Sequence, residues 1–303
     1  MTREELNKDI QDEIEYEELK EKRKKTVKKV IKIIAIIFII SLVFIVYTKI
    51  ISTNGLKVKE ERIELKKIPD SFNGVKIIQF SDLQYGSTIF EEEVKSLVKK
   101  INTRNPDIVV FTGDLIDQDY KIKHEEKEKI IKELNKINAN IGKYAVSGDE
   151  DKEYFNTIFT QAGFTVLDDS YDLIYNKENN PILITGLKSE TKDIDKAFSY
   201  YKEEKSNKDI YSILIMHEPD TIDQVLNNYK VDLALSGGNL NGEIYIPKVG
   251  GLITRKDAKK YTKEYYKIND TRLYVSSGIG TDKLGIRLGT RPSINFLRLA
   301  KTN

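Results

Sequence analysis

The residues best placed to do chemistry are three acids and one histidine that follow short apolar segments. Asp82, Asp114 and Asp149 each come shortly after such a segment, and His217 comes directly after another. Open α/β sheets bind ligands beyond the carboxyl ends of their strands, so we expect these four side chains to face one cleft. A buried carboxylate is costly unless a cation, a donor or water meets it. Two carboxylates and an imidazole make a workable set of ligands for one divalent ion.

Each of these side chains also has a plain structural interpretation. Asp114 follows Gly113 and could cap the next helix. His217 ends an apolar run and could be a satisfied core residue. Arg287 and Arg291 could bind a phosphate, but they could equally pair with the abundant acidic side chains. The residue types alone leave these alternatives open.

The segments that would position these side chains alternate between strand and helix patterns from residue 75 onward, which predicts an α/β fold. Residues 108–112 are a β-branched apolar run, which is typical of a strand covered on both faces. Residues 90–102 repeat apolar side chains at helical spacing, and residues 123–137 predict a highly charged helix. Further strands are predicted at 56–65, 75–80, 143–146, 182–185, 210–216 and 231–235.

The amino-terminal region predicts a membrane anchor. Residues 30–51 are almost entirely apolar and reach the length of about 20 residues that a bilayer requires. The basic cluster at 22–29 predicts that residues 1–29 form a charged cytoplasmic tail and that residues 52–303 form an extracytoplasmic domain. A cleaved signal peptide is the competing interpretation, but no small-residue cleavage site follows the apolar run.

Composition excludes several other classes of protein. The 303 residues carry a formal net charge of +2, which argues against a general nucleic-acid binder. Because the chain has no cysteine, disulfides, thiolate metal sites and cysteine nucleophiles are excluded. Only two histidines exist, and His124 lies in a charged, solvent-facing pattern. Any metal or acid–base chemistry therefore has few imidazoles available.

The order and spacing of the polar strand ends resemble those of the calcineurin-like metallophosphoesterases, especially the bacterial subgroup with one amino-terminal membrane anchor. The resemblance covers about residues 55–300. It implies a four-layer α/β/β/α sandwich of two mixed sheets. It also implies two metals that share a bridging aspartate and promote attack of water on a phosphoric ester.

The chain keeps the turns of the family's motifs but changes many of the side chains that do the chemistry. Those motifs run D-x-H, G-D-x-x-D, G-N-H-D/E, a lone His and G-H-x-H. Asp82, Asp114 and His217 match metal ligands of the family. The substituted positions are Gln84 for His, Asp149 for the ligand Asn, Glu150 for the His that assists the leaving group, and Gly238 and Leu240 for the last two His.

These substitutions predict a degenerate metal centre. We expect at most one divalent ion (Mn, Mg, Zn or Fe), held by Asp82, Asp114, Asp149 and His217, with Gln84 as a weak additional ligand. The predicted function is a membrane-anchored, non-catalytic or weakly active binding protein of the cell envelope, with a phosphate-containing ligand.

Two other functions stay open from the sequence. The chain could be a hydrolase of phosphoric esters or anhydrides that uses one ion held by Asp114, Asp149 and His217. In that case Glu150 would take the place of the family's catalytic histidine, provided that burial raised its pKa. A purely structural envelope scaffold is the remaining alternative.

Overall fold

The computed structural model describes residues 2–203, 205–239, 244–246, 250–251, 258–282 and 285–302. Contacts divide the chain into two units, Met1–Thr48 and Lys49–Asn303. The substituted position Leu240 lies outside the described residues, so only its identity is known.

The first unit is a single helix. Helix α1 spans Arg3–Val46, and a π-helical turn, Tyr47–Ile51, follows it. The predicted charged tail is therefore helical and continues directly into the apolar segment. This is a helix long and apolar enough to cross a membrane. Residues 30–51 would extend about 33 Å, close to the roughly 30 Å hydrocarbon thickness of a bilayer. The boundaries at residues 30 and 51 stay predictions.

The second unit alternates strands and helices, as predicted. In chain order it contains β1 (Lys57–Leu65), β2 (Lys76–Phe80), α2 (Glu91–Asn102), β3 (Ile108–Thr112), α3 (His124–Asn135), β4 (Gly142–Val146), α4 (Tyr154–Gln161), β5 (Thr165–Val166), β6 (Ser170–Asn176), β7 (Glu178–Leu187), α5 (Ile194–Ala197), β8 (Ser212–Met216), α6 (Ile222–Leu226), β9 (Leu233–Ser236), β10 (Tyr245–Ile246), β11 (Gly250–Gly251), β12 (Tyr265–Ile268), β13 (Thr271–Val275) and β14 (Ser293–Lys301).

Two six-stranded mixed sheets form the centre of this unit. The first has the order β1-β14-β2-β3-β4-β5, and the second has the order β12-β13-β9-β8-β7-β6. Strands β2, β3, β4 and β5 are parallel neighbours, and so are β7, β8, β9 and β13. Parallel neighbours present their carboxyl ends at one edge of the sheet, so each sheet gathers several strand-following loops there.

The cores follow from the alternation of side chains along the strands. In β3, Val109 and Phe111 pack with residues of α2, α3 and α4, whereas Ile108 and Val110 pack between the two sheets. Leu214 of β8 packs on the other outer face with residues of α5 and α6. Helices therefore cover both outer faces, and the predicted α/β/β/α sandwich is confirmed.

The second sheet contains more strand structure than the sequence predicted. The strand predicted at 182–185 is the longer β7, and it pairs antiparallel with β6 through Leu183 and Leu173. Strand β6 was not predicted because polar and aromatic residues interrupt its apolar pattern and most of its side chains are half-buried. Burial of only one end of a hairpin weakens the alternation on which sequence-based prediction depends.

Candidate metal site

The predicted site residues lie at the carboxyl ends of four strands from both sheets. Asp82 follows β2, Asp114 follows β3 and Asp149 follows β4 in the first sheet, while His217 follows β8 in the second. Asp82, Asp114 and His217 are fully buried, and their ligand atoms all lie within 4.8 Å of one another. These three side chains could therefore hold a metal ion.

Contacts of His217 fix which ring nitrogen faces the acids. Its Nδ1 lies 2.7 Å from the carbonyl oxygen of Thr112, which can only accept, so Nδ1 carries a proton. Its Nε2 lies 3.3 Å from Oδ2 of Asp114 and 3.1 Å from Oδ1 of Asp149. In the neutral ring a lone pair would face two carboxylates, so this arrangement requires either a second proton or a cation.

Charge around His217 favours the proton in the metal-free protein. Burial opposes ionisation of the ring, but the carboxylates of Asp114, Asp149 and Asp82 outweigh it and hold the pKa of His217 well above its ordinary value. A metal ion at this position would replace that proton. The same three carboxylates would then neutralise the ion instead of the imidazolium.

Gln84 is oriented so that its oxygen is available. Its Nε2 donates to Oδ2 of Asp114 at 3.1 Å, and within the described chain its buried Oε1 accepts no hydrogen bond. Reversing the amide would place Oε1 against the Asp114 carboxylate, which is repulsive. The carboxamide oxygen is therefore available in the position where the family has a histidine, and its role as a weak metal ligand stays a prediction.

Asp149 and Glu150 sit at the rim of the site. The Asp149 side chain is 49% exposed although its carboxylate reaches His217, so the cluster opens toward solvent on this side. Glu150 is buried, and its Oε2 accepts a hydrogen bond from the backbone of Gln118 at 3.2 Å. One Glu150 oxygen thus holds a neighbouring loop. Its role as a proton donor stays a prediction.

Asp151, which sequence analysis did not single out, clamps the loops that carry Asp114 and Asp149. It accepts from the backbone N–H groups of Asp114 and Gly148 at 2.9 and 2.8 Å, and from that of Leu115 at 2.9 Å. Burial and the nearby Asp114 carboxylate raise the pKa of Asp151, while the three N–H groups oppose that rise. Its place as the last residue of the G-N-H-D/E motif was the available signal.

The backbone at the site is held in a sparsely populated conformation. Asp82, Gln84 and Asp114 have positive φ angles of 49°, 49° and 60°. Such residues cost roughly 1–3 kcal/mol each and persist only where the surroundings determine them. Backbone bonds of 2.8 Å from Asp82 N to the Gly113 carbonyl and 3.2 Å from Gln84 N to the Asp114 carbonyl lock the two loops together.

The backbone at position 238, where the family has a histidine, takes a conformation that favours glycine. Gly238 has a φ of +69°, and its N–H points at Oδ2 of Asp82 over 3.3 Å. A Cβ at this position would lie 2.9 Å from the carbonyl oxygen of His217 and 3.2 Å from its Nε2. A side chain at 238 would thus be strained as well as crowded. The position at which the family has the first of its last two histidines is therefore closed to a side chain in this protein.

The two arginines lie in different environments. Arg287 is fully buried, and its Nη1 and Nη2 donate to the carbonyls of Ser277 and Gly280 at 2.9 and 2.6 Å. The loop it holds donates in turn from Gly280 N to the Asp82 carbonyl at 2.8 Å. These contacts make Arg287 a support for the Asp82 loop, whereas Arg291 is exposed. Phosphate binding by either residue stays a prediction.

The donor set fits a divalent metal ion. Buried carboxylates and an imidazole whose Nδ1 donates to a backbone carbonyl are what transition-metal sites use, and the Gln84 oxygen adds a hard ligand. This fit rests on the His217 Nε2 lone pair and the buried Gln84 oxygen.

Comparison with known proteins agrees with this geometry. A sequence model of the family described as calcineurin-like phosphoesterase matches residues 75–239, which carry every predicted metal ligand. The chain belongs to the calcineurin-like phosphoesterase family.

Relatives share most of this chain. It is 31% identical over 265 residues to the uncharacterized metallophosphoesterase YkuE of Bacillus subtilis, covering 85% of this chain and 90% of that protein. It is 23% identical over 273 residues to a transmembrane protein with metallophosphoesterase domain from Danio rerio, covering 84% of this chain and 60% of that protein. Among solved structures, a dimetal phosphatase from Danio rerio is similar with a TM-score of 0.39 at 11% identity, covering 68% of this chain and 88% of that one.

Proposed function

We propose that this protein uses one divalent ion to bind a phosphate-containing ligand of the cell envelope, with little or no turnover. Asp82, Asp114 and His217 would hold the ion, and Asp149 would complete the set. The carrying observation is the 4.8 Å cluster of buried ligand atoms around the His217 ring. When bound, the ion would polarise a phosphoryl oxygen and offset its charge.

The case against efficient hydrolysis rests on the residues that surround this cluster. Gly238 cannot supply an imidazole, and Leu240 offers no ligand atom. Glu150 stands where the family has its leaving-group histidine and already accepts a hydrogen bond from Gln118. An ionised carboxylate there would also repel an incoming phosphate.

We also propose the placement of the chain in the membrane. Residues 30–51 would span the bilayer, the basic tail 1–29 would stay cytoplasmic, and residues 52–303 would face the envelope. Two observations support this placement. Among the described residues, one helix is long and apolar enough to span a bilayer, and basic residues flank its amino-terminal side.

Metal counting on the purified full chain tests the ligand set. After dialysis against Mn²⁺ or Zn²⁺, we expect about one ion per chain and loss of that ion in Asp114→Asn. Asp119→Asn, which removes an exposed acid from the same loop, should keep the ion. Two tightly held ions per chain, or full retention in Asp114→Asn, would contradict the proposal.

A single-metal hydrolase is the second candidate, because the exposed Asp149 beside His217 leaves the cluster open to solvent. Turnover of a generic aryl phosphodiester with Mn²⁺ tests it. If Glu150 donates the proton, Glu150→Gln should lower the rate by about 100-fold while metal content is unchanged. Turnover that is absent in the wild-type chain at every pH would leave the binding function alone.

A further inference from the structure

A second charged site shares no lining residue with the candidate metal site. Lys57, Lys59, Lys263 and Arg291 line a cleft of about 390 Å³, with Glu264 as the acid that lines it. Lys59 pairs with Glu264 at 2.8 Å, whereas Lys57, Lys263 and Arg291 form no ion pair in the described part of the chain. The cleft therefore keeps an excess of positive charge that the described residues do not neutralise.

A buried hydroxyl in the wall of this cleft also lacks a protein partner. Thr290 is 7% exposed, and within the described residues its Oγ1 makes no hydrogen bond. A buried donor left unsatisfied costs about 1–3 kcal/mol, so it marks a place where a ligand atom would be favourable. Cations together with a free hydroxyl donor match the oxygens of a phosphate group.

The cleft is connected to the metal site through one loop. Lys59 Nζ donates to Oγ of Ser277, and the same loop ends at Gly280, whose N–H donates to the carbonyl of Asp82. Gly280 lies three positions after Ser277, a chain distance of at most about 10 Å. One short loop thus joins the wall of the cleft to the backbone that carries Asp82.

Chain connectivity limits how far the cleft can lie from residue 51. Ser52 directly follows Ile51, the last residue of the membrane-spanning candidate, and its hydroxyl donates to the carbonyl of Thr290 at 3.2 Å. Lys57 lies six positions after Ile51, so the chain allows at most roughly 20 Å between these two residues. A phosphate available at that distance from a bilayer is that of a lipid headgroup.

We propose that the cleft of Lys57, Lys263, Arg291 and Thr290 binds the phosphate of an anionic phospholipid headgroup. This deepens the proposed function, because it names the ligand class and a second subsite, but the cleft requires no metal. Binding by the cleft and metal binding by the acid cluster can therefore fail independently.

Calorimetric titration of the metal-free full chain in a nonionic detergent tests the proposal. The probe is dihexanoyl phosphatidylglycerol in excess chelator, compared with dihexanoyl phosphatidylcholine and inorganic phosphate. We expect phosphatidylglycerol to bind most tightly. Lys263→Gln and Arg291→Gln should each weaken it roughly tenfold, as expected for a lost charge-assisted hydrogen bond. Lys192→Gln, an exposed lysine outside the cleft, is the matched control.

Other variants separate this site from the metal site. Thr290→Val keeps the shape of the side chain and should also weaken lipid binding, whereas Asp114→Asn should leave it unchanged. Equal affinity in all variants, equal binding of phosphatidylcholine, or inorganic phosphate binding as tightly as the lipid would overturn the proposal. Loss of lipid binding in Asp114→Asn would overturn its independence from the metal.

Discussion

Metal binding should release a proton from His217, and this follows from the position of its two ring nitrogens. Nδ1 is committed to the Thr112 carbonyl, so only Nε2 can bind an ion. In the metal-free chain that nitrogen faces two carboxylates and holds a proton, because these acids raise the pKa of His217. An ion and this proton therefore compete for one lone pair.

The competition sets the pH dependence. Below the folded-state pKa of His217, each unit decrease in pH should weaken metal binding about tenfold, equivalent to about 1.4 kcal/mol. The stability of the metal-free chain depends on pH in the opposite direction to its metal affinity. The pKa of His217 is higher in the folded than in the unfolded state, so its stabilisation is fully present below about pH 6.5 and is lost as pH rises through the folded pKa.

Calorimetry in buffers with different ionisation enthalpies measures the protons released for each ion bound. We expect close to one proton at pH 6 and progressively fewer as the pH approaches and passes the folded pKa of His217. Thermal unfolding should show metal-free and metal-loaded chains diverging as pH rises. His217→Gln should abolish the proton release, and Asp119→Asn should retain it. Stoichiometric metal binding at pH 6 without proton release would refute the tautomer and the ligand role of Nε2.

Three further variants test how the site is held. Asp151→Ala leaves three buried N–H groups without their acceptor and should lower the free energy of unfolding by about 3 kcal/mol, measured by urea denaturation. Gly238→His should lower it by about 1–3 kcal/mol and should add no second ion in metal analysis, because its φ is positive. Arg287→Met should cost about 2–4 kcal/mol in the same denaturation assay and reduce metal occupancy, whereas Arg298→Gln on the exposed face of β14 should change neither. Wild-type stability for Arg287→Met would show that its two carbonyl contacts are dispensable.

Much of the architecture was predictable because it depends on local patterns. Strand β3 is apolar from Ile108 to Phe111 and buried at every position, and α2 buries Val94, Leu97, Val98 and Ile101 at helical spacing. Alternation of such segments predicted the α/β class, and the spacing of polar residues after the strands predicted the family. The hairpin of β6 and β7 was not predicted, because the apolar side chains of half-buried polar strands do not recur with a distinctive period.

The individual roles at the site were less predictable. The sequence named Asp82, Asp114 and His217, and they do come together. It also placed Arg287 and Arg291 in one class, although one supports a loop from the interior and the other lines an exposed cleft. Nothing in the residue types distinguishes these roles, because both depend on which carbonyls and strand ends are near.

By itself, the sequence determined which ligand atoms exist: it has one imidazole after a strand, none at positions 84, 150, 238 or 240, and carboxylates at positions 82, 114 and 149. Only the tertiary structure decided that His217 Nδ1 is occupied, that Asp151 clamps both acidic loops and that Gly238 leaves no room for a side chain. The physical reason is that these properties are contacts between residues as far apart as 105 positions in the chain, which two sheets bring together. Local sequence determines which strands form, but the packing of strand ends determines which atoms meet.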